Sequence, residues 1–277
     1  MTAPVLTSAP VSGRTRLYAM LGNPVAQVRS PTVMNARFRA AGIDALLFAA
    51  QASAQSLRAV VTGLKAMDNV HGLLVTIPHK ISMLQHADVL LPSARRVGAI
   101  NALRRETDGT WTADMFDGQG FLTALLAKGL SVEGKTIRLY GAGGAGMAIA
   151  VALADAGARR IGLIDPDRQK ATDIAHQLQQ ACPDCYIEAD VDSVAPVQVI
   201  INASPVGMYA GDGLPGPMGD LDPSVIVGDV IIGAEPTPLL RYAQRSGCAT
   251  VDGIEMHSGQ MQALMSFFGY QAIPDRL

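Results

Sequence analysis

The sequence predicts an α/β fold of two α/β domains with a ligand-binding cleft between them. Along residues 16–116, short apolar runs alternate with helical stretches, which is typical of parallel sheets built from right-handed βαβ units. A second series of this kind begins near residue 133 and carries the glycine-rich turn "GAGGAG" at 141–146. Because 277 residues suffice for two domains, each series is assigned to its own domain.

The first series opens with a predicted strand, "RLYAML", that ends in a Gly-Asn-Pro turn. Ser30 and Pro31 predict a helix start, with Ser30 as N-cap and Pro31 in the first turn, and Gly42 ends that helix. "ALLFAA" and "VHGLLVTI" predict the next two strands, separated by a helix over 53–67. Residues 101–115 predict a hairpin because "DGT" stands between two extended stretches.

The second series follows a helix predicted to begin at Asp117. "TIRLY" predicts a strand, and the glycine-rich turn leads into a helix of small residues from Met147. "RIGLID" predicts the next strand, which a helix over 166–181 follows. The remaining predicted elements are two strands and a last helix, at 199–202, 225–229 and 256–268.

Composition argues against several kinds of partner. Charged residues make up 17% of the chain, its formal net charge is −2, and it has no basic patch, so nucleic acid is not expected as a partner. No apolar run approaches the roughly 18 residues of a membrane span. Residues 1–15 lack the features of a signal peptide and are expected to form a flexible tail. Three cysteines do not make a disulfide framework, so a cytoplasmic location is expected.

The "CPDC" stretch at 182–185 raises two chemical possibilities, a redox-active pair and half of a zinc site. No second CxxC follows, and Cys248 and His176 are isolated in the sequence. Because zinc needs four assembled ligands, we interpret "CPDC" as a plain turn after a helix and expect no metal.

The glycine-rich turn has the G-x-G-x-x-G pattern of dinucleotide-binding sheets. Gly141 allows a tight turn, Gly143 lets the backbone approach a pyrophosphate, and Gly146 lets helix and strand pack closely. The alternative is a turn whose glycines serve packing only. The next strand ends at Asp165, whose carboxylate can accept a hydrogen bond from a ribose 2′-hydroxyl. Asp165 and Asp167 favour NAD over NADP because a carboxylate repels a 2′-phosphate.

Four polar residues stand at the ends of predicted strands or helices, where a cleft-facing site would lie. They are Thr76, Lys80, Asn101 and Asp117. With these residues, the chain resembles the shikimate/quinate dehydrogenase family over about residues 16–270. The matching pieces are "GNP…SP…N..F" at 22–38, "VTIPHK" at 75–80, "GAIN" at 98–101, "DG.G" at 117–120, "GAGGAG" at 141–146, "NASPVGM" at 202–208, "TPLL" at 237–240 and "DG..M...Q" at 252–260.

The resemblance implies a substrate-binding domain over 16–116 plus 253–277 and a Rossmann domain over 117–252. It implies a cyclic carboxylic acid as the small-molecule partner and a monomer or homodimer. Lys80 and Asp117 match the catalytic pair. The implied substrate contacts are Ser30 to the carboxylate, with Val28 and Arg29 beside it, and Thr76, Asn101 and Gln260 to ring hydroxyls. The implied cofactor contacts are Gly141, Ala142, Gly143, Gly144, Ala145, Asp165, Asp167, Ser204, Val230, Ile231 and Gly253.

The departures from the family pattern concentrate on substrate contacts. Val28 stands where the family has a serine, Leu74 where it has an asparagine, and Ile232 where it has a tyrosine. Phe116 is a further departure, in the stretch before Asp117. These changes predict an altered substrate, with fewer hydroxyls or a different acid anchor. Arg29 could replace the missing serine as a carboxylate clamp, or it could face solvent.

Two other classes of function remain as alternatives. A non-catalytic NAD-binding sensor or scaffold would bind the cofactor and turn over no substrate. A CxxC redox protein would depend on Cys182 and not on Lys80. Lys80 and Asp117 favour the oxidoreductase, since a ketone reduction needs a proton donor at the oxygen.

Overall fold

The computed structural model describes residues 11–189 and 197–270, and it confirms the α/β class with two six-stranded sheets. The strands of the first sheet are β1 (Arg16–Gly22), β2 (Ala45–Gln51), β3 (Val70–Val75), β4 (Val89–Leu90), β5 (Ala102–Arg105) and β6 (Trp111–Asp114). They lie in the order β2-β1-β3-β5-β6-β4. Strand β5 runs antiparallel to both β3 and β6, so the predicted hairpin over 101–115 is present.

The strands of the second sheet are β7 (Thr136–Tyr140), β8 (Arg160–Ile164), β9 (Tyr186–Ala189), β10 (Val199–Asn202), β11 (Ile226–Asp229) and β12 (Ala249–Val251). They are all parallel and lie in the order β12-β11-β10-β7-β8-β9. The chain order reverses between β7 and β10, and open parallel sheets bind ligands at such a point, beyond the carboxyl ends of the strands.

Eight α-helices and one 3₁₀ turn, Ser82–His86, connect the strands in the part of the chain that the structure describes. The helices are α1 (Ser30–Ala40), α2 (Leu57–Ala66), α3 (Pro92–Val97), α4 (Asp117–Ala127), α5 (Gly144–Asp155), α6 (Arg168–Ala181), α7 (Pro238–Arg245) and α8 (Gly253–Phe267). The short elements α3, α7, β4, β9 and β12 were not predicted, because each is too short for a clear periodicity.

The prediction that Ser30 caps helix α1 is wrong. Ser30 is the first helical residue, Arg29 occupies the N-cap position, and no side chain caps the helix. Pro31 lies in the first turn as predicted, and its missing N–H leaves one donor fewer to satisfy there. The Ser30 hydroxyl is instead hydrogen-bonded to His257 in the cleft.

Four other helices begin at different residues from those predicted. Helix α6 starts at Arg168 and not at residue 166, because Asp167 caps it. Helix α5 starts at Gly144, within the glycine-rich turn, and α2 starts at Leu57 because Ser53 and Ser56 bond to each other in a preceding turn. Helix α8 starts at Gly253 because the Asp252 side chain accepts from the N–H of Glu255, and Glu255 accepts from that of Asp252.

Glycines bring α4 and α8 into close contact, and this contact positions the site. A Cβ at Gly120 would lie 2.6 Å from the carbonyl oxygen of Met256, and one at Gly259 would lie 2.4 Å from the carbonyl oxygen of Gly120. Any larger residue would push the helices apart. Helix α4 presents Asp117 at its start and α8 presents Gln260, so the two side chains meet in the cleft.

Helix α8 packs on the first sheet, where Met261, Leu264 and Met265 share a buried cluster with Tyr18 and Phe38. The domain boundaries given above stay predictions. Of the predicted tail, residues 1–10 lie outside the described residues, as do 271–277 of the predicted substrate domain. No helix in the described ranges has both the length and the apolar character needed to cross a membrane.

Candidate active site

A cavity of about 1080 Å³ lies between the two sheets, at the ends of their strands. The starts of α1, α4, α5 and α8 all contribute to its wall, together with the residues that follow β1 and β3. Nearly all residues predicted to bind substrate or cofactor line this cavity. The exceptions are Ala142 and Asp167, whose side chains are not part of its wall.

Lys80 and Asp117 form an ion pair in the cavity wall. The Lys80 ammonium donates to Oδ2 of Asp117, and their side chains are only 13% and 4% exposed. A Cβ at Gly144 would lie 2.8 Å from the Cβ of Lys80, so this glycine lets the glycine-rich turn approach the lysine. A cationic donor therefore stands directly beside the turn that is predicted to hold the cofactor.

Asn101 holds Asp117 and Gln260 in position. Its amide nitrogen donates to Oδ1 of Asp117 at 2.8 Å and to Oε1 of Gln260 at 3.0 Å, and its oxygen accepts from the Phe116 N–H at 3.0 Å. Both amide hydrogens of Asn101 are therefore in use. The side-chain oxygen of Gln260 accepts the hydrogen bond from Asn101, so its amide nitrogen can donate to a ligand.

Ser30 and His257 form a second polar pair in the cavity wall. Ser30 Oγ and His257 Nε2 are 3.0 Å apart, and both residues are buried. Burial, followed by the charge of Arg29, lowers the pKa of His257 from its ordinary value to about 4, although the Asp117 charge opposes the shift. The imidazole is therefore neutral at pH 7.

The lowered pKa of His257 makes the stability of the protein depend on pH. In the unfolded chain the imidazole takes up a proton near pH 6.5, whereas in the folded protein it does so only near pH 4. This contribution to stability is complete above pH 6.5 and is lost as the pH falls towards 4, by up to about 3 kcal/mol. We expect His257→Leu to show a shallower fall in unfolding free energy over this range than the wild type, measured by urea denaturation. Equal slopes would contradict the assignment.

Apolar side chains replace expected polar contacts beside the Ser30–His257 pair. Val28, Leu74 and Ile232 line the cavity. Phe116 does not, because its ring packs against Phe267 with the centroids 5.3 Å apart. Arg29 is exposed at the cavity rim and makes no ion pair with any residue that the structure describes. That these three positions contact substrate stays a prediction, and no pattern in the sequence connected Ser30 with His257.

The glycine-rich turn uses its glycines in different ways. Gly141 has a φ of +103° and lies against the backbone of Ala203, where a Cβ would be 2.7 Å from the carbonyl carbon. A Cβ at Gly146 would be 1.9 Å from the Gly141 oxygen, so helix and strand could not pack. Gly143 has an ordinary extended conformation, and a Cβ there would touch nothing within 4 Å. Packing therefore requires Gly141 and Gly146 but not Gly143.

Asp165 is bound to the glycine-rich turn itself. Its Oδ2 accepts from the Ala142 N–H at 2.9 Å and from Lys170 Nζ at 3.0 Å. Burial opposes its ionisation, but these hydrogen bonds outweigh burial and hold its pKa below the ordinary value. Asp167 caps α6 by accepting from the Lys170 N–H. Arg168 is the first residue of α6, two residues later than the predicted start at 166, and it lines the cavity.

Other predicted cofactor contacts are held by the loops after β10 and β11. Ser204 Oγ donates to the Asn202 side-chain oxygen at 2.7 Å, which fixes the loop after β10. Gly253 lies against the backbone after β11, where a Cβ would be 2.5 Å from the carbonyl oxygens of Val230 and Ile231. The predicted cofactor contacts in these loops all line the cavity, namely Ser204, Val230, Ile231 and Gly253.

The "CPDC" cysteines lie away from the cavity. Cys182 and Cys185 are free and buried, and burial raises the pKa of both thiols, to about 11 for Cys185. A raised pKa disfavours the thiolate that redox or metal chemistry needs. Among the described residues, no three or more His, Cys, Asp or Glu side chains could jointly hold a metal ion.

Residues 20–103 match the family model for the shikimate dehydrogenase substrate binding domain. Over 252 residues the chain is 34% identical to shikimate dehydrogenase (NADP(+)) from Methanothermobacter thermautotrophicus, covering 89% of this chain and 88% of that protein. The solved 5-ketofructose reductase of a Gluconobacter species is 32% identical, with a TM-score of 0.81 and coverage of 95% and 96%. Shikimate 5-dehydrogenase from Listeria monocytogenes, solved with shikimate and NAD, is 29% identical, with a TM-score of 0.83 and 96% of each chain covered.

These similarities extend over both sheets. The chain therefore belongs to the shikimate/quinate dehydrogenase family of NAD(P)-dependent oxidoreductases.

Proposed function

We propose that this protein transfers hydride reversibly between NAD(P) and a ring carbon of a small polyhydroxylated substrate, with Lys80 and Asp117 as its catalytic residues. The observation that carries the proposal is the Lys80–Asp117 ion pair in the same cavity wall as the glycine-rich turn. A proton donor and a predicted dinucleotide-binding turn are the two parts that a ketone reduction requires.

The residues around the glycine-rich turn fit a dinucleotide. The space beside Gly143 is open, and the first N–H groups of α5 face the cavity without a side-chain cap. Helix N-termini of this kind bind phosphate groups. The proposed cofactor contacts are therefore those of the turn together with Asp165, Ser204, Val230, Ile231 and Gly253.

When bound, the nicotinamide supplies or accepts the hydride. The Lys80 ammonium stabilises negative charge as it develops on the substrate oxygen and donates the proton to it. Asp117 orients Lys80, and Asn101 orients Asp117, so the donor is held in place before the substrate arrives. Thr76 and the free amide of Gln260 are proposed to contact substrate hydroxyls.

NAD is the proposed form of the cofactor. Asp165, which follows β8, carries a negative charge at neutral pH and so disfavours a 2′-phosphate. Lys170 is already paired with Asp165, and Arg168 lines the cavity as a cation that a phosphate could use. The relative from Methanothermobacter thermautotrophicus carries NADP(+) in its name, so the assays below compare both cofactors.

Two substrate classes are candidates. The first is the cyclic hydroxy acid that the family resemblance implies, with Ser30 and Arg29 as its carboxylate contacts. The second is an uncharged keto sugar or polyol, which does not need the serine contact to a carboxylate that Val28 replaces. The similar Gluconobacter protein is a 5-ketofructose reductase, which also supports the second class.

One panel of assays tests the proposal. Reduced cofactor formation is followed with cyclic hydroxy acids and with uncharged cyclic and open-chain polyols, each with NAD and with NADP. We expect turnover with at least one class and a higher kcat/KM with NAD. Cofactor binding without any turnover would point to a sensor, and a preference of about tenfold for NADP would overturn the cofactor assignment.

A further inference from the structure

We infer that the Ser30–His257 pair recognises an uncharged hydroxyl group, so that this chain binds a neutral polyol or keto sugar in preference to a carboxylic acid. The inference rests on the proposed function and deepens it, because it selects between the two substrate classes.

The first support is where the pair lies. Ser30 begins α1 and His257 lies on α8, and their side chains meet at 3.0 Å in the cavity wall. Val28, Leu74 and Leu264 line the same cavity, and Val28 packs against the apolar cluster that contains the other two. Ser30 and His257 are themselves buried, so a ligand group that bonds to them loses contact with water.

The second support is the charge of the surroundings. Ser30 and the neutral His257 carry no net charge, and Arg29 is exposed at the rim. Arg37 of α1 and Asp117 of α4 also influence His257, with opposite signs. Lys80 is already paired with Asp117 and Arg29 is exposed, so neither offers a buried, unpaired cation to a carboxylate that loses its hydration at the Ser30–His257 pair, which is unfavourable.

The third support is the number of hydrogen-bond donors. Ser30 and a neutral His257 have two polar hydrogens between them, and their mutual hydrogen bond uses one. The pair can therefore donate one hydrogen bond to a ligand, and the Ser30 oxygen can still accept one. A ligand carboxylate only accepts hydrogen bonds, so one donor satisfies it poorly. A ligand hydroxyl can accept the hydrogen bond that the pair donates and donate one to the Ser30 oxygen.

The test compares two ligands that differ at one group: shikimic acid and the alcohol in which its carboxyl group is reduced to a hydroxymethyl group. Dissociation constants are measured by calorimetry with the full chain and saturating NAD. We expect the wild type to bind the alcohol at least about tenfold more tightly than the acid. Equal or tighter binding of the acid, or no binding of either ligand, would overturn the inference.

Three variants assign the preference to the pair. His257→Leu should weaken binding of the alcohol by about tenfold and leave binding of the acid nearly unchanged, whereas His257→Asn, which keeps a donor and an acceptor, should recover part of the loss. Val28→Ser should shift the preference towards the acid, because it adds a donor. An unchanged ratio of the two dissociation constants in all three variants would overturn the role of the pair.

Tight binding of the alcohol without turnover would overturn the proposed function and leave this inference standing.

Discussion

Replacing Lys80 by methionine should lower kcat by at least about 100-fold while NAD(P) binding stays unchanged. Methionine has a similar length but neither donates a proton nor carries charge. The alkoxide that forms during ketone reduction would then have no cation beside it in a buried site. The substitution leaves the Asp117–Asn101 hydrogen bond in place, so the local structure should persist.

A matched control separates this effect from the loss of any lysine. Lys65 donates to the His86 carbonyl oxygen and lies near Asp88, outside the cavity. Lys65→Met should therefore keep kcat within a factor of about two. Steady-state kinetics with the best substrate of the panel, together with calorimetric cofactor binding, measure both variants. Near-normal turnover by Lys80→Met would disprove its catalytic role.

Alanine at Gly146 should destabilise the fold, whereas alanine at Gly143 should not. At Gly146 the new Cβ would lie 1.9 Å from the Gly141 oxygen, so α5 must move away from β7. We expect a loss of about 1–3 kcal/mol in unfolding free energy, and loss of cofactor binding as well. Thermal unfolding and calorimetry measure the two effects.

Gly143→Ala tests the cofactor site without disturbing the fold. Its backbone is extended and a Cβ there meets nothing, so the variant should be at least as stable as the wild type. If a pyrophosphate lies against this backbone, the methyl group should weaken NAD(P) binding by about tenfold or more. Undiminished affinity would mean that no phosphate approaches Gly143, and the cofactor would have to bind elsewhere.

Much of the fold was predictable because its signals are local. The apolar runs of β1, β2, β3, β7 and β8 alternate with helical stretches, and the glycine-rich turn follows β7 as expected. The hairpin of β5 and β6 was predicted from its turn residues. The short helices α3 and α7 were not predicted, since six and eight residues give too few turns for a period.

Part of the site depended on contacts between distant parts of the chain. Asn101 lines the cavity, and its contact with substrate stays a prediction, but the sequence did not show that its amide hydrogens bind Asp117 and Gln260, the latter 159 residues away. Ser30 was expected to cap its own helix, but it binds His257, 227 residues away. No local pattern contains such contacts, because they form only where segments that are distant in the sequence meet in the fold.

The sequence by itself determined the α/β class and the glycine-rich turn, since these depend on local periodicity and on backbone sterics, whereas the pairing of Lys80 with Asp117 was implied by the resemblance to the family. Only the tertiary structure decided which hydrogen bonds each polar side chain of the cleft uses within the protein. The close approach of α4 and α8, which Gly120 and Gly259 allow, brings Gln260 to Asn101, and α8 carries His257 to Ser30. Hydrogen bonds form only at contact distance, so the remaining capacity of the cleft to bind a ligand follows from the packing of these helices.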